Sequence, residues 1–258
     1  MPDRTANPLA PLPRFLVMAK PPVPGQVKTR LTPTLTPNQA AAVHAAMFAA
    51  LVARLDRFVQ AGQAKITLAL AVPDLPDTAL KRSALLRDAF ADHPAARDTL
   101  LDIHLDIVAQ GPGDLGQRIR NAWPDRQPAV VLGMDSPDLP EAHLQAAFTV
   151  ASPIAPGCGP ADHQPPDAAI GPTDDGGYWT LAAPRPPLPL LTKIDWGTSA
   201  VYDQSHENAR AADFTLVDLP PWHDVDTPDD LDALRRRLQT TDDPALQQLA
   251  DQLQAITA

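Results

Sequence analysis

The sequence predicts a three-layer α/β/α domain with a mainly parallel sheet, and three observations predict it. Apolar runs of strand length alternate with longer segments of helical period. One run, Ala129–Leu132 (AVVL), is apolar throughout, as strands covered on both faces are. Gly, Pro and Asp then collect where the runs end, which is where such sheets bind their ligands. At 258 residues and 44% hydrophobic, the chain is long and apolar enough for one large domain with a sizeable core.

Taken in order, 15–19 (FLVMA) reads as a buried strand. Thr36, Pro37 and Gln39 form a capping-box start with Pro in the first turn. The helix it opens runs to about 59, with Val43, Met47, Leu51, Leu55 and Val59 at helical spacing. Residues 65–72 (KITLALAV) make the next strand, and 83–91 suggest a second helix. Residues 101–108 alternate so that Ile103, Leu105 and Ile107 share one strand face. After the strand 129–132 comes a helix over 141–150, then a Pro-rich loop, 152–166, that reads as an insertion. Strands at 168–171 and 178–182 flank a turn; helix 198–212, strand 214–219 and helix 227–238 follow, with one more helix expected from 244. The organisation expected is a disordered leader (1–13), one domain (14–238) and a C-terminal helical tail (239–258), with no internal repeat.

Charge and composition narrow the function. A net charge of -10 disfavours nucleic acid as a partner, because such binders need a broad basic field. Proline is abundant, 31 residues where about 5% is usual, and the single cysteine, Cys158, excludes an internal disulfide framework or a Cys-based zinc finger. No window approaches the ~18 apolar residues of a membrane span, and the N-terminus lacks a signal-like apolar run. A soluble, cytoplasmic protein is expected; the oligomeric state is not legible.

Four strand ends carry the chemistry. The first, Lys20-Pro-Pro-Val-Pro24-Gly25-Gln-Val-Lys28-Thr-Arg30, holds two of only five lysines in a proline-stiffened loop. Its spacing fails the P-loop pattern, yet Lys20, Lys28 and Arg30 suit a phosphate clamp, Arg as a fork and Lys as a point charge. In the second, Gln110-Gly111-Pro-Gly113-Asp114-Leu115-Gly116, the glycines match GxGxxG. Pro112 in the turn and Pro124 shortening the helix argue against a dinucleotide site, while close backbone approach to a nucleotide stays open.

The third end is Gly133-Met-Asp135-Ser136-Pro-Asp138, where Asp135 follows a buried strand and needs a countercharge or a cation. Ser136 and Asp138 are explained by a helix cap with Pro137 in the first turn. In the fourth, Asp224 and Asp226 precede a helix start at Thr227-Pro228-Asp229-Asp230, and His223 reads as a surface or packing histidine. The two acids are free to join Asp135 on a hard divalent cation, Mg²⁺ or Mn²⁺. Between strands, Thr173-Asp174-Asp175-Gly-Gly is turn chemistry in which Asp174 or Asp175 could also act as a base or substrate contact.

In this order the five stretches resemble an uncharacterised bacterial family of GT-A-like transferases with the nucleotide-diphospho-sugar transferase fold, a Rossmann-like α/β arrangement. That family is related to the 2-phospholactate guanylyltransferases and, more remotely, the molybdenum-cofactor guanylyltransferases. The resemblance spans about 14–238. It implies a divalent-metal site at Asp135 completed by Asp224 or Asp226, and a nucleotide held by Pro24, Gly25, Gln110, Gly111, Gly113, Asp114, Leu115 and Gly116. The chain lacks the Leu-Ala-Ala-Gly opening of the sugar-nucleotide pyrophosphorylases, and it has Asp135-Ser-Pro-Asp138 in place of Asp-x-Asp.

The expected function is Mg²⁺-dependent nucleotidyl transfer from an NTP to a phosphorylated small-molecule acceptor. Lys20, Lys28 and Arg30 would stabilise the leaving pyrophosphate. Glycosyl transfer from a nucleotide-sugar, with Asp175 as base, and a non-catalytic nucleotide-binding domain are the alternatives.

Overall fold

The computed structural model describes residues 11–72, 78–125, 127–152 and 165–257. Most of the expected leader and insertion therefore lie outside the described residues. The rest forms seven strands in one sheet, with helices on both faces, as expected.

The strands are β1 (Arg14–Ala19), β2 (Lys65–Leu70), β3 (Leu105–Ala109), β4 (Ala129–Leu132), β5 (Ala168–Pro172), β6 (Tyr178–Ala183) and β7 (Leu216–Asp218), in the spatial order β3-β2-β1-β4-β6-β5-β7. β3, β2, β1 and β4 are parallel; β6 runs against β4 and β5, and β7 is parallel to β5. The chain steps outward from β1 in one direction and resumes at β4 on β1's other side. This switch point opens a crevice at the carboxyl ends of β1 and β4.

The helices are α1 (Pro37–Gln60), α2 (Ala79–Ala89), α3 (Pro94–Asp102), α4 (Leu115–Ala122), α5 (Glu141–Ala151), α6 (Val201–Ala211), α7 (Pro228–Leu238) and α8 (Pro244–Thr257). The Thr36 capping box opens α1 as expected, its hydroxyl accepting the Gln39 N–H. One sheet face packs against α1, α3 and α5 through residues such as Phe15, Phe48, Leu55, Leu100 and Leu144. Phe15 meets the Phe58 ring edge-on at 5.2 Å, a contact worth about 1 kcal/mol beyond its area. The opposite face packs Leu16, Val131 and Leu181 against α4, α6 and a 3-10 turn at Leu188–Leu191.

A third apolar cluster lies outside the sheet. There α7 and α8 bury Leu231, Leu234, Leu246, Leu249 and Leu253 against Val43, Met47 and Ala50 of α1. Helix α1 is thus covered on two sides, which is why it is Ala-rich and mostly buried.

The expected strand 101–108 begins too early. Pro94 starts α3, and Ala96 and Leu100, one turn apart, are both buried, so 101 and 102 finish a helix before β3 starts at Leu105. The alternation at 103, 105 and 107 masked the helical period just before it. The strand expected at 214–219 shortens to β7, an edge strand paired only with β5.

Candidate functional site

The crevice holds a cavity of about 650 Å³ lined by Lys20, Gln26, Lys28, Arg30, His44, Gln110, Arg118, Asp135, Tyr178, Trp196 and Asp226, among others. A second cavity of about 310 Å³ adjoins it, lined by Asp174, Asp175, His223 and Asp224; Arg30 and Asp226 border both.

The loop after β1 is pinned rather than free. Val27 and Leu31 are buried, and a 3-10 turn, Thr29–Leu31, places Lys28 just ahead of it in the left-handed region, at φ 45° and ψ 40°. That backbone turns the Lys28 side chain inward, leaving it 3% exposed. Its ammonium donates to Asp135 Oδ1, to the carbonyl of Val225 (2.6 Å) and to Asp226 Oδ1 (3.1 Å). Burial alone would depress the ammonium, but Asp135 and Asp226 outweigh it and hold its pKa above the ordinary value. Burial would likewise raise the Asp135 carboxyl, and Lys28 holds it below the usual range. Arg30, 72% exposed, reaches Asp226 Oδ2 at 3.5 Å. The Lys20 side chain is exposed on the cavity wall, its backbone fixed by N–H to Met134 Sδ (3.2 Å) and by its carbonyl, which faces His44 Nε2 (3.2 Å).

Pro24 and Gly25 sit exposed at the loop tip, outside the residues that line the cavity. The second loop divides similarly. Gln110 is buried, and its amide N–H bonds the carbonyls of Ala19 and Ala69, so it ties strand ends together while one edge faces the cavity. Asp114 caps α4 in a reciprocal pair with Gln117. Gly111 and Gly113 have positive φ (71° and 107°) in the turn before it. Gly116 lacks a Cβ for a packing reason, since one would strike the Leu191 carbonyl and the Trp196 ring. Of this set Leu115, 40% exposed, lines the cavity directly.

At the end of β4, the Asp135 backbone carbonyl accepts from Val225 N–H (2.9 Å), which brings the approach to α7 beside it. Val225 is fully buried and anchors Asp224 and Asp226 on either side. Ser136 and Asp138 do not cap a helix, contrary to the expectation from sequence. α5 starts at Glu141 with Pro140 as its cap, while Ser136 donates to Asp224 Oδ1 (2.6 Å) and Asp138 takes the Arg237 guanidinium. Burial pushes the Asp224 carboxyl up to about 6 despite the Ser136 bond, with Asp135, Asp175 and Asp226 adding repulsion.

Asp175 Oδ1 accepts from Thr173 Oγ1 (2.7 Å) and Gly177 N–H (3.0 Å), so that oxygen is committed to its turn. The turn's shape requires glycine at 176, where φ is 84° and a Cβ would enter Ser199. His223, at the exposed rim, pairs through Nδ1 with Asp174 Oδ2 (2.8 Å). It is a surface histidine, as expected, with one acidic partner.

The structure thus brings Lys28, Arg30, Asp135 and Asp226 together and sets Asp224 and Asp175 in the adjoining cavity. Residues that sequence reasoning missed are His44, Arg118, Trp196 and Thr180. His44 is 4% exposed with its pKa lowered to about 4 by burial, and its Nδ1 has no partner among the described residues. Its signal was hidden inside an apolar helix. Trp196 stands next to Gly197, and its ring meets Tyr178 edge-on at 6.3 Å. One of only four tryptophans beside a glycine was the available cue.

Among the described residues no three His, Cys, Asp or Glu side chains gather as a ready metal site. The donor chemistry nonetheless fits a hard divalent cation in the mode that uses two carboxylates plus ligand oxygens. Asp135 and Asp226 remain 44% and 39% exposed to the cleft and share one partly compensated position. No helix among the described residues is long and apolar enough to cross a membrane.

No curated protein matches the chain. Among solved structures, one from Desulfovibrio desulfuricans G20, provisionally named a nucleotide-diphospho-sugar transferase, is similar at a TM-score of 0.67 and 26% identity, covering 95% of this chain and 96% of its own. The fold is therefore that of the nucleotide-diphospho-sugar transferases. A family profile described as "Uncharacterized protein conserved in bacteria (DUF2064)" matches residues 55–198, from the end of α1 through β4 and β6 to the Trp196 loop. By that match, over more than half its length, the chain belongs to the DUF2064 family.

Proposed function

We propose that this chain is a transferase that takes a nucleotide-sugar donor and passes the sugar to a hydroxyl acceptor. One observation carries the reading: a cationic cavity and an acidic one meet at Arg30 and Asp226. The larger cavity, with Lys20, Arg30, Arg118 and the Tyr178–Trp196 pair, suits a nucleoside diphosphate and an attached ring. The smaller, with Asp174, Asp175, Asp224, Asp226 and Asp230 set against Arg30 and Arg237, is acidic on balance and suits a neutral polyol better than an anionic acceptor. The name of the Desulfovibrio relative supports the same donor class.

In this reading the acceptor oxygen bonds to the anomeric carbon as the sugar–diphosphate bond breaks. The hydroxyl proton passes to a base on the acidic rim, either His223 held by Asp174 or the free oxygen of Asp175. Lys20 and Arg30 take up charge on the departing diphosphate. Mg²⁺ or Mn²⁺ held by Asp135 and Asp226, with Asp224 beside them, would supply further charge neutralisation there.

The second reading is nucleotidyl transfer from an NTP to a phosphorylated acceptor, which Asp135-Ser-Pro-Asp138 in place of Asp-x-Asp favours and the acidic compartment opposes. Product analysis separates the two. Incubation with UDP- or GDP-sugars should release nucleoside diphosphate, and Asp135→Asn should slow that at least 100-fold. Pyrophosphate released from an NTP instead would establish the second reading.

A further inference from the structure

Lys28 was expected to clamp phosphate, yet its ammonium is already saturated. It has three protons, and three oxygens receive them: Asp135 Oδ1, Val225 O and Asp226 Oδ1. With its side chain 3% exposed, no direction is left for a ligand anion. The arrangement is built, since a non-glycine residue holds a left-handed backbone (φ 45°, ψ 40°) to direct the side chain there. Two carboxylates and a carbonyl around one point are also the donor set of a hard divalent cation. An ammonium and a divalent cation compete for it, because both are positive and both draw on the same two carboxylates and the same carbonyl.

We propose that Lys28 and a divalent cation are alternative occupants of one oxygen site, so that Lys28 keeps free metal out until an anionic ligand draws it away. This rests on reading Asp135 and Asp226 as cation ligands. Exclusion makes metal and nucleotide bind as a pair: the phosphates take over Lys28, and the vacated oxygens receive the metal. Lys28 thereby selects the metal–nucleotide complex over either component alone.

The test is Mn²⁺ titration of the full chain, read by the paramagnetic resonance of free Mn²⁺, with no turnover required. Wild type should bind Mn²⁺ weakly alone and at least tenfold more tightly with UDP or GDP present. Lys28→Met should bind Mn²⁺ alone at least tenfold more tightly than wild type, and adding Asp135→Asn should abolish the gain. Lys28→Gln, which can still donate to Val225 O, provides a second uncharged variant should the methionine disturb folding. Lys20→Met removes a cation from the same cavity wall without emptying the oxygen site, and without nucleotide it should change the affinity for Mn²⁺ less than threefold.

An equal gain from Lys20→Met would mean general electrostatics and overturn the proposal. So would wild type binding Mn²⁺ alone as tightly as Lys28→Met, which would leave the cation reading standing. If no variant binds Mn²⁺ with or without nucleotide, the cation reading itself falls and takes this inference with it.

Discussion

His44 shows how much one buried ring can contribute to pH behaviour. It lies in α1 under the cavity with its pKa lowered from 6.5 to about 4 by burial. The unfolded chain takes up this proton below pH 6.5 and the folded one resists it. The stability associated with the neutral ring is full above pH 6.5 and is lost as pH falls toward 4. A shift of that size corresponds to about 3 kcal/mol. Denaturant unfolding at pH 7 and pH 4 should therefore show a smaller difference for His44→Gln than for wild type, by up to about 3 kcal/mol. Equal differences would mean that the ring is protonated in the folded state.

At the scale of elements, the loops of the candidate site are positioned by contacts between distant segments. Arg54, 4% exposed in the middle of α1, donates to the carbonyls of Pro137 (2.8 Å) and Leu139 (2.6 Å) and to Asp243 Oδ2 (2.9 Å) just before α8. One guanidinium thus fixes the segment after Asp135 to both α1 and the C-terminal helix. Arg54→Leu should cost about 2–4 kcal/mol, because it leaves the carbonyls of Pro137 and Leu139 unpaired and Asp243 with Arg57 as its remaining guanidinium. Arg54→Lys should recover only part, lacking the planar fork. The Thr36 cap is a smaller element-scale term, and Thr36→Ala should cost about 1 kcal/mol. Urea midpoints at constant m-value would measure all three.

For the whole molecule, the sheet separates two cores, and α7 with α8 adds a third against α1. α8 buries Leu246, Leu249 and Leu253 there. At about 1.5–3 kcal/mol for each buried leucine, its loss would remove much of a typical domain's stability. A chain ending at residue 243 should unfold at least 10 °C lower or fail to stay soluble, as differential scanning calorimetry would record. An unchanged transition would show that α8 is an appendage.

Local sequence determined what local physics controls. The α1 and α7 starts were legible because capping residues and a proline act within one turn. The core strands were legible because burial on two faces demands unbroken apolar runs. That Asp135 would have a countercharge was legible because a carboxylate after such a strand needs one, and Lys28 supplies it.

Tertiary structure alone decided the partners. Lys28 and Asp226 are 198 positions apart and Ser136 and Asp224 are 88 apart, so no spacing rule relates them. Nor could the Gly111–Gly116 pattern show whether its glycines serve a ligand or a neighbour, because a missing Cβ gives access to both. At Gly116 the neighbours are the Leu191 carbonyl and the Trp196 ring, and Leu191 is brought there by packing on the sheet's second face. Sequence supplied the charged groups of the site, and the fold decided which of them meet, because their electrostatic and hydrogen-bond energies depend on distances that only the folded chain defines.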